Sequence, residues 1–135
     1  MKLESQVISL EIAKKLKELG VKQESHFYWS KAFDINDYFT GDEPVVEELR
    51  WLEYCEMEKA KICSAFTVAE LGEMLPVYWQ YSYQRTDGET IGYFDLEEIE
   101  KKKTFHWWGN ETEADARGLM LIHLLENNLI DKNSL

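Results

Sequence analysis

Apolar side chains recur with a helical period in the first part of the chain. A broad stripe of Leu, Ile and Ala runs through residues 10–19, as expected for a helix with one buried face. Ser9 stands where an N-cap belongs, and Gly20 fits the left-handed C′ position that ends many helices. A Schellman motif is therefore predicted here, in which Val21 contacts Leu16.

The stretch AFTVAELGEMLP predicts a second, short helix. Thr67 and Glu70 have the spacing of a capping box, in which each side chain accepts a backbone N–H at the helix start. Phe66 and Leu71 are placed for a hydrophobic staple, and Pro76 prevents the helix from continuing. We expect this helix to fix the path of the chain into the segment that follows.

The final helix is predicted to begin near Thr112, with Asp115 at the N3 position. Asn128 can take the left-handed position at its end, so that Leu129 reaches back to Leu124. The body of the helix, EADARGLMLIHLLEN, is apolar around most of its circumference, and several elements must cover it. Other helices of the chain are the default cover, and a second copy in a twofold dimer is the alternative.

Residues 45–59, VVEELRWLEYCEMEK, also have helical spacing and are predicted to form a helix that starts after Pro44. The intervening segments have the pattern of strands. The clearest lies at 77–95, where Asp87-Gly88 is a preferred two-residue hairpin turn between alternating polar and aromatic residues. The aromatic runs KTFHWW (103–108) and SHFYW (25–29) predict further strands.

These elements predict a single α+β domain over residues 1–135. Its core is expected to be an antiparallel sheet of three to four strands, which contains the hairpin at 77–95 and packs against three to four helices.

The charge of the chain is strongly acidic and unevenly distributed. The chain has 15 basic and 26 acidic residues, and residues 26–98 hold 16 of the acids with only five bases. Repulsion from phosphates argues against direct binding of duplex DNA by this middle region. An acidic face can instead meet a basic protein surface, including one that normally holds nucleic acid, although solubility alone also explains many such charges.

The sequence predicts a cytoplasmic protein that does not enter a membrane. No apolar run approaches the length that spans a bilayer, and MKLESQVISLEIAKK lacks the apolar region of a secretory signal. Cys55 and Cys63 do not form the pattern of a disulfide scaffold, so two reduced thiols are expected.

The chain carries no spacing typical of a catalytic or metal site, so no catalytic residue, metal ligand or cofactor is predicted. His26, His106 and His123 are far apart in the sequence and lack partners at metal-ligand spacing. A nucleophilic role for Cys63 with one of the two later histidines is left open, without support from spacing.

Aromatic residues are the best candidates for binding. Alternation along strands requires about half of them to point inward, and those that remain exposed would be typical interface anchors. The candidate binding residues are Trp29, Trp79, Tyr81, Tyr83, Trp107 and Trp108.

Three blocks, SQVISLEIAKKLKELGVKQESHFYW, AFTVAELGEMLP and TEADARGLMLIHLLENNLI, resemble small uncharacterised proteins of tailed bacteriophages and prophages. The resemblance implies a phage genome and a host bacterial cytoplasm, and it transfers no activity. We therefore expect a non-enzymatic phage accessory protein that binds a host or phage protein, such as a host defence or nucleic-acid-handling factor. The alternatives are a small-ligand binder that stacks a nucleotide-like molecule on its aromatic residues, and an enzyme of nucleotide metabolism.

Overall fold

The computed structural model of the chain describes residues 3–36, 38–75, 81–84, 91–94 and 112–135. For 81–84 and 91–94 the description covers the backbone alone. The α-helices within these ranges are α1 (Leu10–Glu18), α2 (Leu49–Tyr54), α3 (Val68–Met74) and α4 (Glu113–Glu126). The strands are β1 (Phe27–Ser30), β2 (Val45–Glu48), β3 (Lys61–Ser64), β4 (Tyr81–Gln84) and β5 (Ile91–Phe94). Short 3-10 helices lie at Leu3–Ser5, Glu58–Ala60 and Lys132–Ser134.

The α+β class is confirmed. β1 is the central strand of a three-stranded antiparallel sheet with the order β2-β1-β3. β4 and β5 form a separate antiparallel ladder, so the predicted hairpin pairs with itself rather than within the main sheet. In this ladder Gln84 lies opposite Ile91, which is the pairing expected for a two-residue turn at Asp87-Gly88. The turn itself and the strand predicted at 103–108 lie outside the described residues.

The helix predicted over 45–59 is wrong at both ends, because α2 covers only Leu49–Tyr54 and a separate 3-10 helix follows at Glu58–Ala60. Val45–Glu48 is a strand, and α2 begins only at Leu49. Val46 lies opposite Trp29 of β1, and this cross-strand pair overrides the weak helical spacing of the segment. The sequence prediction also missed β3, a four-residue strand with too few residues to show an alternating pattern.

The two faces of β1 serve two different clusters. Trp29 packs with the main core, which α1, α3 and α4 build together with β3. Tyr28 points to the other face, where it packs with Leu52 and Met57 beneath α2. The alternation of a strand thus places the helices α1 and α4 on one side of the sheet and α2 on the other.

The final helix is covered within the chain, in line with the default expectation for its apolar surface. α4 packs against α1, α3 and β5, and its buried residues lie on several sides of the helix. Gly118 lets α1 approach closely, since a Cβ there would lie 2.7 Å from the Ile12 Cγ2 atom. A twofold dimer is therefore not needed to bury this helix, and the dimer stays a prediction.

The capping box of α3 is confirmed and extends beyond its own helix. The Thr67 hydroxyl accepts the Glu70 N–H at 3.1 Å, and Glu70 Oε1 accepts the Thr67 N–H at 3.0 Å. The same carboxylate oxygen accepts the hydroxyl of Ser25, 2.8 Å away, just before β1. The two staple residues, Phe66 and Leu71, are fully buried. One cap therefore connects α3 to the start of the central strand.

The predicted caps of the other helices hold with one exception. α1 ends in a Schellman motif, with Gly20 at a φ of 89° and the Val21 N–H donating to the Leu16 carbonyl. α4 begins at Thr112, whose hydroxyl accepts the Asp115 N–H, and ends with Asn128 in the left-handed region. Ser9, however, makes no side-chain cap of α1.

The N-terminus of α1 is held by a distant residue instead. The Ser9 backbone N–H donates to Asp115 Oδ1 at 2.7 Å, so a carboxylate of α4 lies at the start of α1. A negative group at that position is also favoured by the helix dipole.

α2 ends in a Schellman motif that no sequence signal indicated. Glu56 occupies the left-handed position with a φ of 55°, and the Met57 N–H donates to the Leu52 carbonyl at 2.8 Å. A residue with a Cβ in this conformation costs about 1–2 kcal/mol. The burial of Met57 holds the turn in place despite that cost.

The capping box predicts the effect of removing its hydroxyl. Thr67→Ala should lower the free energy of unfolding by about 1 kcal/mol, because the Glu70 N–H loses its acceptor. Thr67→Ser keeps the acceptor and should stay close to wild type. Chemical denaturation of the three proteins measures the difference, and equal midpoints for the wild type and Thr67→Ala would contradict the cap.

The strained end of α2 predicts a stabilising substitution. Glu56→Gly should raise the free energy of unfolding by about 1 kcal/mol, because glycine adopts a positive φ without the Cβ clash. Glu53→Gly is the matched control: it removes the same charge from the interior of α2 and should lower stability by about 1 kcal/mol. Thermal or chemical denaturation compares them, and a loss of stability in Glu56→Gly would refute the assignment.

Candidate functional site

The exposed apolar surface is concentrated in one part of the chain. Of the seven large hydrophobic side chains that are strongly exposed in the described residues, six lie between residues 35 and 54. Tyr54 is 81% exposed, Ile35 92% and Trp51 46%. An apolar cluster of this kind on a highly charged protein is typical of an interaction site.

Three of these side chains, Ile35, Trp51 and Tyr54, line a groove of about 530 Å³. Three segments form it: the loop after β1, the strand β2 and the helix α2. We call it the acidic aromatic groove, and its lining residues are Phe33, Asp34, Ile35, Glu47, Trp51, Tyr54 and Cys55.

The stacked rings of Trp51 and Tyr54 form the α2 side of the groove. Their centroids are 5.8 Å apart and their planes differ by 20°. Residues three apart on a helix share a face, so the pair forms as a consequence of helical spacing. Leu52 and Met57 are fully buried beneath α2, and this burial directs the two aromatic rings outward.

The opposite side of the groove is a loop that Asp34 organises. Asp34 Oδ1 accepts the backbone N–H groups of Asn36 and Tyr38, at 2.9 and 3.2 Å. A backbone bridge between Phe33 and Phe39 closes the loop. Asp34 thus shapes the backbone, and the turn it forms presents Ile35 to solvent.

Glu47 is the carboxylate of β2 that lines the groove together with the aromatic pair. It lies opposite Tyr28 in the ladder, and therefore on the sheet face that α2 covers. Partial burial raises the pKa of Glu47 above its ordinary value near 4.5, and the neighbouring Glu48 raises it further. The charged form of Glu47 is thus less favourable here than in water.

The surroundings of the groove are acidic. Residues 31–61, which include the groove and the lysines that flank it, contain nine acidic residues and four basic ones, and residues 34–58 alone contain nine acidic residues and one basic residue. Such a local excess creates a negative potential that attracts cations and repels phosphates.

Among the candidate binding residues, Trp29 packs against the core of the protein. Its ring is partly buried against the core, and its indole N–H donates to the Ile8 carbonyl at 2.9 Å. Tyr81 and Tyr83 lie on β4, where the description stops at the backbone. Trp79, Trp107 and Trp108 lie outside the described residues, so their part in binding stays a prediction.

Sequence reasoning missed the aromatic pair of α2, although a signal was present. The helical spacing of residues 45–59 runs through Val45, Leu49, Leu52 and Cys55, which leaves Trp51 and Tyr54 off the apolar face. Two aromatic residues three positions apart on the exposed face of a predicted helix indicate a binding surface more directly than aromatics in strands do.

Cys63, whose role as a nucleophile the sequence left open, is buried. Cys63 is only 2% exposed, and burial raises the pKa of its thiol even though Lys17 and Lys14 act in the opposite direction. A thiol with a raised pKa is a poor nucleophile at neutral pH. Cys55 is half-buried at the groove, and neither cysteine forms a disulfide.

Within the described residues, no cluster of three or more His, Cys, Asp or Glu side chains is arranged to hold a metal ion. Among the helices of the described residues, none is both long and apolar enough to cross a membrane.

Comparisons of the chain with protein-family models, with curated proteins and with solved structures find no match. The resemblance to phage proteins therefore stays a prediction from the sequence.

Because the pKa of Glu47 is raised, replacing this residue with an uncharged one should increase stability by an amount that depends on pH. Because its pKa is higher in the folded than in the unfolded chain, charged Glu47 lowers stability as pH rises above 4.5. Glu47→Gln should therefore raise the denaturation midpoint at neutral pH, and the gain should vanish below the ordinary pKa, where both side chains are neutral.

Glu11→Gln on α1 is the matched control, since it removes the same charge from an exposed position. Denaturation curves of the three proteins at several pH values give the comparison. A Glu47→Gln midpoint that stays level with Glu11→Gln at every pH would contradict the assigned burial.

Proposed function

We propose that this chain is a non-enzymatic binding protein that holds a basic protein partner against the acidic aromatic groove. The observation that carries the proposal is the exposed Trp51–Tyr54 pair beside the partly buried Glu47. Aromatic anchors of this kind dominate the energy of many interfaces, while surrounding charges steer the encounter and select the partner.

The biological setting that we propose is a tailed phage and the cytoplasm of its bacterial host. Its support is the resemblance of the three sequence blocks to phage and prophage proteins. A host defence factor or a nucleic-acid-handling protein fits the proposal, because such proteins carry basic surfaces that an acidic partner can occupy.

The volume of the groove favours the small-ligand alternative in one respect. At about 530 Å³ it lies in the range of small-molecule sites. The nine acidic residues of 34–58 oppose a phosphorylated ligand, however, so a nucleotide is the less favoured occupant of this groove. The aromatic residues outside the described part of the chain remain the place to seek a nucleotide-like ligand.

The groove predicts salt-sensitive capture of a partner. Immobilised protein should retain a bacterial protein from lysate at low ionic strength and lose most of it at high ionic strength, because the charges are screened. Replacing both Trp51 and Tyr54 with Ala should abolish capture, since the apolar anchors are gone. Both side chains are exposed, so the double variant should keep the fold, which circular dichroism verifies.

Leu129→Ala is the matched control for this experiment, because it truncates an exposed apolar residue outside the groove. The control should capture the partner as the wild type does. Capture that persists in the double variant, or no capture at either ionic strength, would refute the proposed role of the groove.

A further inference from the structure

We infer that the acidic aromatic groove recognises arginine: the partner places a guanidinium group on the Trp51–Tyr54 pair, directs its N–H groups to Glu47, and seats a neighbouring apolar side chain on Ile35. This inference rests on the proposed function and names the chemistry of the segment that binds.

The geometry of the aromatic pair selects a flat group that stacks on one face. A planar group inserted between two rings needs them about 7 Å apart, twice the van der Waals contact distance. Trp51 and Tyr54 are 5.8 Å apart and nearly parallel, so they stack on each other and leave no slot between them. Nearly parallel rings also fail to enclose a tetrahedral ammonium group as an aromatic cage would. A planar cation lying on an outer ring face fits this arrangement.

The charge around the groove selects a cation over the other occupants. Residues 31–61 carry nine acids and four bases, so a second copy of this chain would bring two surfaces of net negative charge together. Nucleic acid and phosphorylated ligands meet the same repulsion. A basic segment is attracted by this negative potential as it approaches, and its charges are complementary to the acidic residues once it is bound.

The position of Glu47 favours arginine over lysine. Burial and Glu48 make its negative charge costly, and a guanidinium beside it would offset both effects. Arginine is more weakly hydrated than lysine, stacks on aromatic rings and offers five N–H donors in a plane. A carboxylate next to a stacked ring pair therefore discriminates between the two cations.

The exposed side of the loop supplies the apolar contact. Ile35 is 92% exposed while Phe33 is half-buried behind it in the groove. The turn that Asp34 organises holds Ile35 in this position. The segment that binds is thus expected to carry an apolar residue next to its arginine.

Three blocked hexapeptides test the inference with the full chain. One alternates leucine with arginine, the second replaces each arginine with lysine, and the third replaces it with citrulline, which is planar but uncharged. Fluorescence anisotropy of the labelled peptides gives the affinities. The arginine peptide should bind about tenfold tighter than the lysine peptide, and the citrulline peptide should bind weakest.

Variants of the groove locate the binding. Trp51→Ala should weaken binding of the arginine peptide about tenfold, and Glu47→Gln should remove most of the preference for arginine over lysine. Glu11→Gln removes an equal charge from α1 and should leave both the affinity and the preference unchanged. Equal affinities for the arginine and lysine peptides, or wild-type affinity in Trp51→Ala, would overturn the inference.

Failure of this inference can be told apart from failure of the proposed function. A lysate partner that requires Trp51 and Tyr54, combined with no preference for arginine, would refute arginine recognition and leave the binding function standing. If no lysate partner requires Trp51 and Tyr54 and the peptides show no preference for arginine, both the binding function and arginine recognition are refuted.

Discussion

A single carboxylate oxygen connects the helical part of this protein to its sheet. Glu70 Oε1 accepts the backbone N–H of Thr67 at the start of α3 and the hydroxyl of Ser25 just before β1. Because β1 is the central strand, its placement sets the positions of β2 and β3, and α2 follows directly from β2. The cap of α3 is thus bonded to the segment that leads into the strand next to β2, and the close specification of so short a helix fits this link.

The alternation of the central strand separates the aromatic residues by role. Trp29 faces the main core, where its indole N–H is satisfied by the Ile8 carbonyl, and Tyr28 anchors the cluster beneath α2. Each of these aromatic residues stabilises the fold. Trp51 and Tyr54 are exposed because Leu52 and Met57 already fill the space between α2 and the sheet. The surface that we propose for binding thus consists of aromatic residues that are not needed to fill the core.

The segment around the groove accumulates unfavourable local features. Partial burial and the neighbouring Glu48 raise the pKa of Glu47, and Glu56 adopts a positive φ. Each feature costs free energy that the rest of the domain must offset. Violations of local rules tend to cluster where a protein functions, and here they flank the same exposed aromatic pair. A bound cation would offset the repulsion between these carboxylates, which links the electrostatic cost of the free protein to recognition of a basic partner.

The sequence by itself determined the ends of three helices, because each depends on residues within about six positions of one another. Thr67 with Glu70, Gly20 with Val21, and Asn128 with Leu129 all form the contacts that their spacing predicts. Local hydrogen bonds of this kind need no knowledge of the remaining chain.

The tertiary structure decided the features that join distant residues. Val45–Glu48 became a strand through its pairing with β1, and the start of α1 is held by Asp115, which is 106 positions away. The exposure of Trp51 and Tyr54 depended on which side chains filled the space beneath α2, and only the packed fold sets that. The apolar pattern and the capping residues specify a helix from nearby positions alone. Which side chains are buried depends on how all of them pack into one core, and that packing decides where the candidate site lies.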